Sequence, residues 1–194
     1  MDDGKAPADN PFVKQPGALG IVWSYGHRNP EGFAYHPVTG KLWETEHGPR
    51  GGDEVNIIYP GHNYGWPVVS FGILDNGQAG SGSMTETTSK EGMDPPVFHW
   101  EPSPGISPIM FYTGDKFPQW KNQLFAGAMG HEQLKRLVLD AEKVVREEVV
   151  FRGLGRVRDI KTGPDGYIYL ALQEAGPSVS SNTAGRIVRL VPAH

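Results

Sequence analysis

The chain has 194 residues, a formal net charge of -4 and no cysteine. This length suffices for one domain with a hydrophobic core, and the slightly acidic balance gives no general attraction to nucleic acid or to an anionic membrane. The lack of cysteine excludes disulfides and thiolate metal sites. We therefore predict a single domain over residues 1–194, with no nucleic-acid partner and no membrane insertion.

Turn-forming residues are frequent, with 26 glycines and 17 prolines, which favours many turns over long helices. The N-terminal stretch is acidic and polar, and no apolar run reaches membrane-spanning length, so the chain as given is predicted to be soluble and without an export signal. From Trp23 onward, apolar residues alternate or come in short runs bounded by turn residues. This pattern predicts an all-β fold.

A unit of strand, turn and strand recurs along the chain. "GFAYHPVTGKLWETEHG" predicts a first hairpin, "GISPIMFYTGDKFPQWKNQLFAGAMGHEQLKRLVLD" predicts three strands around a Pro-Trp turn, and "RDIKTGPDGYIYLALQE" repeats the hairpin pattern. Such recurrence without βαβ spacing favours a β-propeller or a sandwich. Residues 73–96 are polar and predict a long surface loop. The segment 139–151 fits either a helix or an outer strand.

Several basic residues stand where strands begin or in strands. Arg28 and Asn29 precede Pro30, which favours an extended backbone and presents both side chains at a strand entrance. Arg156 and Arg158 are two apart in a predicted strand and therefore share a face. With Lys135 or Arg136 and Arg28 they would form a cationic pocket suited to a polycarboxylate. A solvated basic surface is the alternative.

A second stretch, "EHGPRGGDE", has the chemistry of a hard-cation site. Gly48 and Pro49 lie in a bend whose carbonyl oxygens could point outward, and Asp53 and Glu54 follow closely. Backbone carbonyls and carboxylates are the ligands that Ca²⁺ prefers, although the EF-hand spacing is missing. A tight acidic turn is the alternative. The aromatic residues of the next motif, "GHNYGWP", favour packing over ligand stacking.

Taken together and in this order, "SYGHRNPEG", "EHGPRGGDE", "NYGWP", "FPQW", "LKR" and "RVRD..TGPDGYIY" closely resemble the C-terminal half of the soluble quinoprotein aldose sugar dehydrogenases, the glucose/sorbosone dehydrogenase family. The resemblance extends from about residue 8 to the last strand. It implies a six-bladed β-propeller, of which this chain would form about three blades. It also implies oxidation of aldose C1 to a lactone with pyrroloquinoline quinone (PQQ) and Ca²⁺, with electrons passing to an external acceptor.

The resemblance assigns roles residue by residue. The positions that match the cofactor-binding residues are Arg28, Asn29, Lys135, Arg156 and Arg158. Gly48 and Pro49 match the carbonyl ligands of the active-site Ca²⁺, and Glu54 and Tyr64 match positions that help to bind a second, structural Ca²⁺. A periplasmic or secreted location is implied by the family only.

The family's catalytic histidine belongs to an N-terminal segment of the form H-x-x-G-R-L, and no such segment occurs here. The chain has histidines in other contexts, at positions 27, 36, 47, 62, 99, 131 and 194. We therefore assign no catalytic residue and expect a cofactor-binding half that associates with an N-terminal half or with itself. The alternatives are a non-catalytic propeller module that binds sugar or protein, and a calcium-dependent propeller lactonase.

Overall fold

The computed structural model describes residues 4–72, 87–174 and 184–193, whose regular structure is almost entirely β-strand. The strands are β1 (Pro30–Tyr35), β2 (Leu42–Glu46), β3 (Asp53–Ile58), β4 (Phe98–Trp100), β5 (Ile106–Phe111), β6 (Leu124–Ala128), β7 (Gln133–Asp140), β8 (Lys143–Arg152), β9 (Arg156–Thr162), β10 (Ile168–Gln173) and β11 (Gly185–Leu190). A 3-10 turn at Pro118–Trp120 separates β5 from β6.

The strands form three antiparallel sheets in which neighbours in sequence are neighbours in space. The first sheet is β1-β2-β3-β4, the second is β5-β6-β7-β8 and the third is β9-β10-β11. Strand β1 packs beside β5, and β5 packs beside β9, so the first strand of each sheet lies innermost. The prediction of an all-β fold with about three blades is confirmed.

The second sheet lies between the other two, which explains why "ISPIMF" is apolar without alternation. Ile109 and Phe111 of β5 belong to a core cluster shared with Trp43 of the first sheet. Met110, between them, belongs to a second cluster shared with Ile160 of the third sheet. Both faces of β5 are therefore buried, one against the first sheet and the other against the third.

The close approach of β1 to β5 depends on a glycine. A Cβ atom at Gly32 would lie 2.6 Å from the Ser107 carbonyl oxygen and 2.9 Å from the Ile109 nitrogen. The register of β5 with β6 is also irregular between Ile106 and Ile109, where Pro108 has no N–H to give to the ladder. Only a residue without a side chain fits beside this irregularity.

The ambiguous segment 139–151 is strand. Strand β7 ends at Asp140, Ala141 adopts a φ of 52°, and β8 begins at Lys143 as the outer strand of the second sheet. Of the predicted loop 73–96, residues 73–86 lie outside the described residues, and residues 87–96 contain no helix or strand. Within the described ranges, no helix is long and apolar enough to cross a membrane.

The hydroxyl of Tyr112 connects the turn between β5 and β6 to the third sheet, and its removal should destabilise the fold. The hydroxyl donates to the Gly166 carbonyl oxygen at 2.6 Å and accepts from the Lys116 and Phe117 amides at 2.9 and 3.2 Å. We expect Tyr112→Phe to lower the free energy of unfolding by about 2 kcal/mol, because these groups lose their partner in a buried setting. Urea unfolding measures the loss.

The matched control for this prediction is Tyr169→Phe. Its hydroxyl donates to Asp165 at 2.8 Å in an exposed position, so the free energy of unfolding should change by only about 0.5 kcal/mol. Equal losses in the two variants would contradict the role given to Tyr112.

Candidate functional site

One end of the three sheets collects the predicted functional residues. We call it the site end, and it comprises residues 27–29, the β2–β3 loop (47–52), the β6–β7 loop (129–132) and the start of β9. Hydrogen bonds link these parts: Arg28 to the end of β2, the β2–β3 loop to β3, and the β6–β7 loop to Arg158. The Met129 amide of the β6–β7 loop donates to the Gly105 carbonyl oxygen just before β5, and the Ile106 amide at the start of β5 donates to Asp53 of β3, so the loops of the first two sheets lie at the same end.

The backbone of the Arg28–Asn29 pair is held by a carboxylate from β2. Glu46 accepts hydrogen bonds from the amides of Arg28 at 2.5 Å and Asn29 at 3.2 Å through one oxygen. The Arg28 guanidinium donates to the His47 carbonyl oxygen at 2.9 Å and lies 5.3 Å from the centre of the Trp66 ring. The pair is thus fixed by its main chain while both side chains stay accessible at the site end.

The β2–β3 loop, which carries Gly48 and Pro49, is tied down by Asp53. This carboxylate is 1% exposed and accepts from the Gly48 amide at 3.1 Å and the Ser103 hydroxyl at 2.7 Å. Its second oxygen accepts from the Ile106 amide at 2.8 Å. The buried Asp53 side chain therefore holds the β2–β3 loop against the start of β5.

A small cavity opens beside this loop. It has room for about one water-sized sphere, roughly 10 Å³, which is the size that a single water or ion needs. Its walls include four of the predicted residues together with the oxygen-bearing Glu46; the four are Arg28, Gly48, Glu54 and Tyr64. His47 also lines the cavity, and its ring nitrogen Nε2 is buried without a hydrogen-bond partner among residues 4–72, 87–174 and 184–193.

Acidic side chains crowd the same face of the first sheet because strands alternate with a period of two. Glu44 pairs with Asn56 across β2 and β3, and Glu46 pairs with Glu54. The Asn56 amide nitrogen donates to Glu44 and Glu46 at 3.2 Å each and to Glu54 at 3.4 Å. Burial, reinforced by the neighbouring Glu46, raises the pKa of Glu44 to about 9 and that of Glu54 to about 8.

Tyr64 is positioned by its hydroxyl and its ring. The hydroxyl donates to the Ile57 carbonyl oxygen at 2.6 Å and accepts from the Tyr59 amide at 2.8 Å, and the ring stacks on His27 with 4.6 Å between centroids. Burial raises the Tyr64 pKa to about 12. The Tyr64 hydroxyl is thus already engaged by two main-chain groups at the end of β3.

The arginines of β9 do not follow regular strand alternation. The register between β9 and β10 shifts at this point, so that Val157 pairs with Leu172 while Asp159 pairs with Ala171. The shift leaves Arg158 as the additional residue of a bulge. Regular strand alternation, from which Arg156 and Arg158 were predicted to share a face, therefore does not apply across this bulge.

Both arginines nevertheless lie next to Gln173 of β10. Gln173 is the register partner of Arg156, and its amide oxygen accepts hydrogen bonds from Arg158, one of them at 2.8 Å. Arg158 also contacts the Met129 sulfur at 2.8 Å, and its side chain is exposed. Asp159, for its part, pairs with Lys161 at 3.2 Å. The arginines stand at the open site end, beside the β6–β7 loop.

Lys135 lies in a different environment from the other predicted cofactor residues. It sits inside β7, is 6% exposed, and its ammonium pairs with Glu147 of β8 at 2.6 Å. The same carboxylate accepts from the Trp100 indole. The described contacts thus do not bring Lys135 to the arginines of β9 or to Arg28: it pairs within the second sheet, and its partner Glu147 connects that sheet to Trp100 of the first.

Sequence reasoning missed the residues that hold the loops in place. Glu46 and Asp53 were not singled out for positioning, nor were Glu44, Asn56 and Gln173. A signal for the acidic face was present: in "WETE" and "DEVN" the polar residues alternate with residues that face the core, as buried strands do. The bonds from Asp53 to Ser103 and Ile106 cross from one sheet to another and have no signal in the sequence.

Comparison with known proteins agrees with this arrangement. The family described as Glucose / Sorbosone dehydrogenase matches residues 1–187. The curated "Aldose sugar dehydrogenase YliI" of Escherichia coli is 44% identical over 175 residues, which is 90% of this chain and 47% of that protein. The chain therefore spans about half the length of this relative.

Solved structures give the same picture. A chain described as "glucose dehydrogenase" matches with a TM-score of 0.87 and 41% identity, over 100% of this chain and 53% of that chain. The PQQ-bound aldose sugar dehydrogenase from Streptomyces coelicolor matches with a TM-score of 0.70 and 27% identity, over 98% of this chain and 50% of that one. The three sheets are thus about half of a propeller of the glucose dehydrogenase type, as predicted. The chain belongs to the glucose/sorbosone dehydrogenase family.

Proposed function

We propose that this chain is the cofactor-binding half of a sugar dehydrogenase that uses PQQ and Ca²⁺ to oxidise aldoses at C1. The observation that supports this most is the meeting, at one end of three sheets, of an oxygen-lined cavity beside Gly48 and the exposed guanidinium of Arg158. Cations and a hard-metal pocket at the same end suit an organic polyanion held next to Ca²⁺. The family and its PQQ-bound member support the choice of quinone.

The residues present fit both groups. The buried Nε2 of His47, which lacks a partner among the described residues, and the cavity lined by Glu46 and Glu54 give polar atoms that a bound group could satisfy. Arg156 and Arg158 would hold carboxylates, while Arg28 and Asn29 would present their side chains to the cofactor from the facing strand entrance. The carbonyls of Gly48 and Pro49 would hold the active-site Ca²⁺, and Glu54 with the Tyr64 carbonyl would hold a second one.

When bound, PQQ supplies the acceptor for the hydride from the sugar, and Ca²⁺ polarises the acceptor. The chain's own contribution is to fix the geometry. Glu46 holds the Arg28–Asn29 backbone, Asp53 holds the loop at Gly48, and Gln173 limits the freedom of Arg158. Such prior organisation lowers the entropic cost of placing the reacting groups.

We propose that the general base, the rest of the sugar-binding wall and the closing of the ring come from a second chain or chain segment. An N-terminal half of the family, or a second copy of this chain, would cover the open faces of the half propeller, which expose Phe33 and Tyr35 of β1 and Ile187 of β11. The aldose and an external electron acceptor are then the small partners. A periplasmic or secreted location is proposed from the family alone.

The lactonase alternative requires an open cage of carboxylates and asparagine around a catalytic metal. The chain has such a combination in Glu44, Glu46 and Asn56, but these side chains are 0%, 4% and 1% exposed and lie on the second and third strands of the first sheet. A substrate has no access there, so the dehydrogenase proposal is preferred. A non-catalytic module remains as an outcome of the experiment below.

The proposal predicts a large effect at Arg158. Metal-free protein is titrated with PQQ in excess Ca²⁺ and followed by visible absorbance, with light scattering for mass. We expect saturable binding, weakened about 10- to 150-fold in Arg158→Ala, because a hydrogen bond between charged groups contributes about 1.5–3 kcal/mol. Arg156→Ala should behave in the same way.

Arg146→Ala is the matched control, because Arg146 is an exposed arginine of the outer strand β8 that pairs with Glu148 at 2.5 Å. It should leave the affinity for PQQ unchanged. If the wild-type chain does not bind PQQ and remains a monomer, the proposal is wrong and the non-catalytic module is favoured. Equal weakening in the variants of Arg158 and Arg146 would place the quinone elsewhere.

A further inference from the structure

A group of three potential metal ligands lies within the first sheet, beneath the cavity described above. One ligand atom each from His27, Glu44 and Glu46 lies within 4.8 Å of the other two. Glu44 and Glu46 share a face of β2, and His27 approaches from the segment that leads into β1. Glu44 and Glu46 are almost fully buried, so the group is a built feature of the interior rather than a set of surface charges.

Two buried atoms of this group, Oε1 of Glu44 and Nδ1 of His27, lack hydrogen-bond partners among the described residues. Within the described part of the chain, neither Oε1 of Glu44, a residue that is 0% exposed, nor the amide oxygen of Asn56, which is 1% exposed, has a hydrogen-bond partner. The Asn56 side chain bridges Glu44 and Glu46 through its nitrogen. Unsatisfied oxygens on several buried side chains in one place are costly unless a proton or a cation joins them.

The histidine is oriented as a ligand would be. Its Nε2 atom is 2.8 Å from the Ser24 hydroxyl. Its Nδ1 atom is buried, has no hydrogen-bond partner in the ranges that the structure describes, and lies 3.6 Å from Oε1 of Glu46. Metal-binding histidines generally use their second ring nitrogen for such an outer hydrogen bond, which fixes the ring. Stacking on Tyr64 holds the ring further.

We propose that His27, Glu44 and Glu46 form a binding site for a divalent transition cation of the Zn²⁺ type, with a water as a fourth ligand. Two ligands of tetrahedral Zn²⁺ are about 3.4 Å apart when the bonds are about 2.1 Å long, close to the 3.6 Å between His27 and Glu46. An imidazole nitrogen beside carboxylates favours such a cation over Ca²⁺, which selects oxygen.

This site differs from those of the proposed function in its ligand set, although Glu46 also lines the cavity beside Gly48. The calcium positions proposed above use Gly48, Pro49, Glu54 and Tyr64, and none of these belongs to the group of three. The new site would stabilise the first sheet beneath Arg28 and Asn29, since Glu46 binds their amides with its other oxygen. It can therefore exist whether or not the chain binds a quinone.

The test uses the full chain, stripped with a chelator and then kept in saturating Ca²⁺ so that hard-cation sites are filled. Zn²⁺ is titrated by calorimetry, and Co²⁺ absorbance reports a site of low coordination number. We expect one Zn²⁺ per chain, with affinity reduced at least tenfold in Glu44→Gln and in His27→Gln. His62→Gln is the control, because His62 pairs with Asp94 at 2.6 Å on the surface and is the kind of site that binds Zn²⁺ adventitiously.

Thermal unfolding of each variant checks that it is folded. Because Glu44→Gln and His27→Gln are tested separately, the test remains valid if one of them fails to fold. Unchanged affinity in both triad variants overturns the proposal, as does a loss of binding in His62→Gln alone or no binding by the wild-type chain. Titration with PQQ separates the two proposals: Glu44→Gln should keep its quinone affinity, while Arg158→Ala should keep its Zn²⁺ affinity.

Discussion

In metal-free protein, the free energy of unfolding should fall as the pH rises from about 4.5 to about 9, and Glu44→Gln should remove much of this fall. The pKa of Glu44 is about 9 in the folded chain against an ordinary value of 4.5, mainly because the carboxyl is buried and secondly because Glu46 is close. Between these values the folded chain holds a proton that the unfolded chain has released. Stability must then decrease with rising pH.

The size of the effect follows from linkage. One proton held by the folded state alone changes the free energy of unfolding by about 1.4 kcal/mol per pH unit. Between pH 6 and pH 8 the free energy of unfolding should therefore fall by about 3 kcal/mol less in the variant than in the wild type. Glu54, whose pKa of about 8 is raised by burial and by Glu46, keeps a contribution of its own in both proteins.

Urea unfolding at several pH values, with a chelator present, measures this difference. Glu91→Gln is the matched control, because Glu91 is exposed in the described part of the long connection between β3 and β4, and it should leave the pH profile as it is in the wild type. A Glu44→Gln profile parallel to that of the wild type would show that Glu44 is not the group that holds the proton.

Gly48→Ala should damage both the loop and the calcium site. A Cβ atom there would lie 2.1 Å from the Gly51 carbonyl oxygen and 2.4 Å from that of Gly52. These are backbone atoms of the same tight loop, so they cannot rotate away as a flexible side chain would. We expect the free energy of unfolding to fall by about 3 kcal/mol, the upper part of the range for overpacking, and Ca²⁺-dependent PQQ binding to be lost.

Gly185→Ala provides the comparison for a glycine of β11, where the nearest atom to a Cβ would be the Leu172 carbonyl oxygen at 3.3 Å. This variant should lose far less stability and should bind PQQ as the wild type does. Calorimetric Ca²⁺ titration and urea unfolding of the two variants decide the matter. Normal Ca²⁺-dependent quinone binding by Gly48→Ala would exclude the loop from the site.

Much of the fold could be predicted because its strands are short, apolar and bounded by turn residues. The strands around "KFPQW" and the hairpin of "TGPDG" follow directly from local sequence, since Pro and Gly fix the turns. The segment 139–151 was ambiguous because β8 is an outer strand and its charges, such as Glu147 and Glu148, fit an exposed helix equally well. The pairing of β8 with β7 shows that the segment is a strand rather than a helix.

Less of the site could be predicted from pattern alone. Period-two alternation correctly relates Glu44 to Glu46 but fails for Arg156 and Arg158, because a bulge changes the facing of side chains without leaving a mark on the sequence. The burial of Lys135 depends on Glu147 in the next strand and Trp100 in another sheet. Such contacts result from how sheets pack, which local sequence does not contain.

The order of strands in the sheets also bears on how the chain folds. The pairings β1-β2-β3, β5-β6-β7-β8 and β9-β10-β11 join strands that are separated by at most 12 residues, so these pairs can form early from contiguous stretches. Strand β4 is different, because it must close the long connection between Ile58 and Phe98 before it can pair with β3. Its Trp100 also bonds to Glu147 of the second sheet. We expect β4 to dock late, so that the contact between Trp100 and Glu147 forms only after the other strands of the first and second sheets have paired.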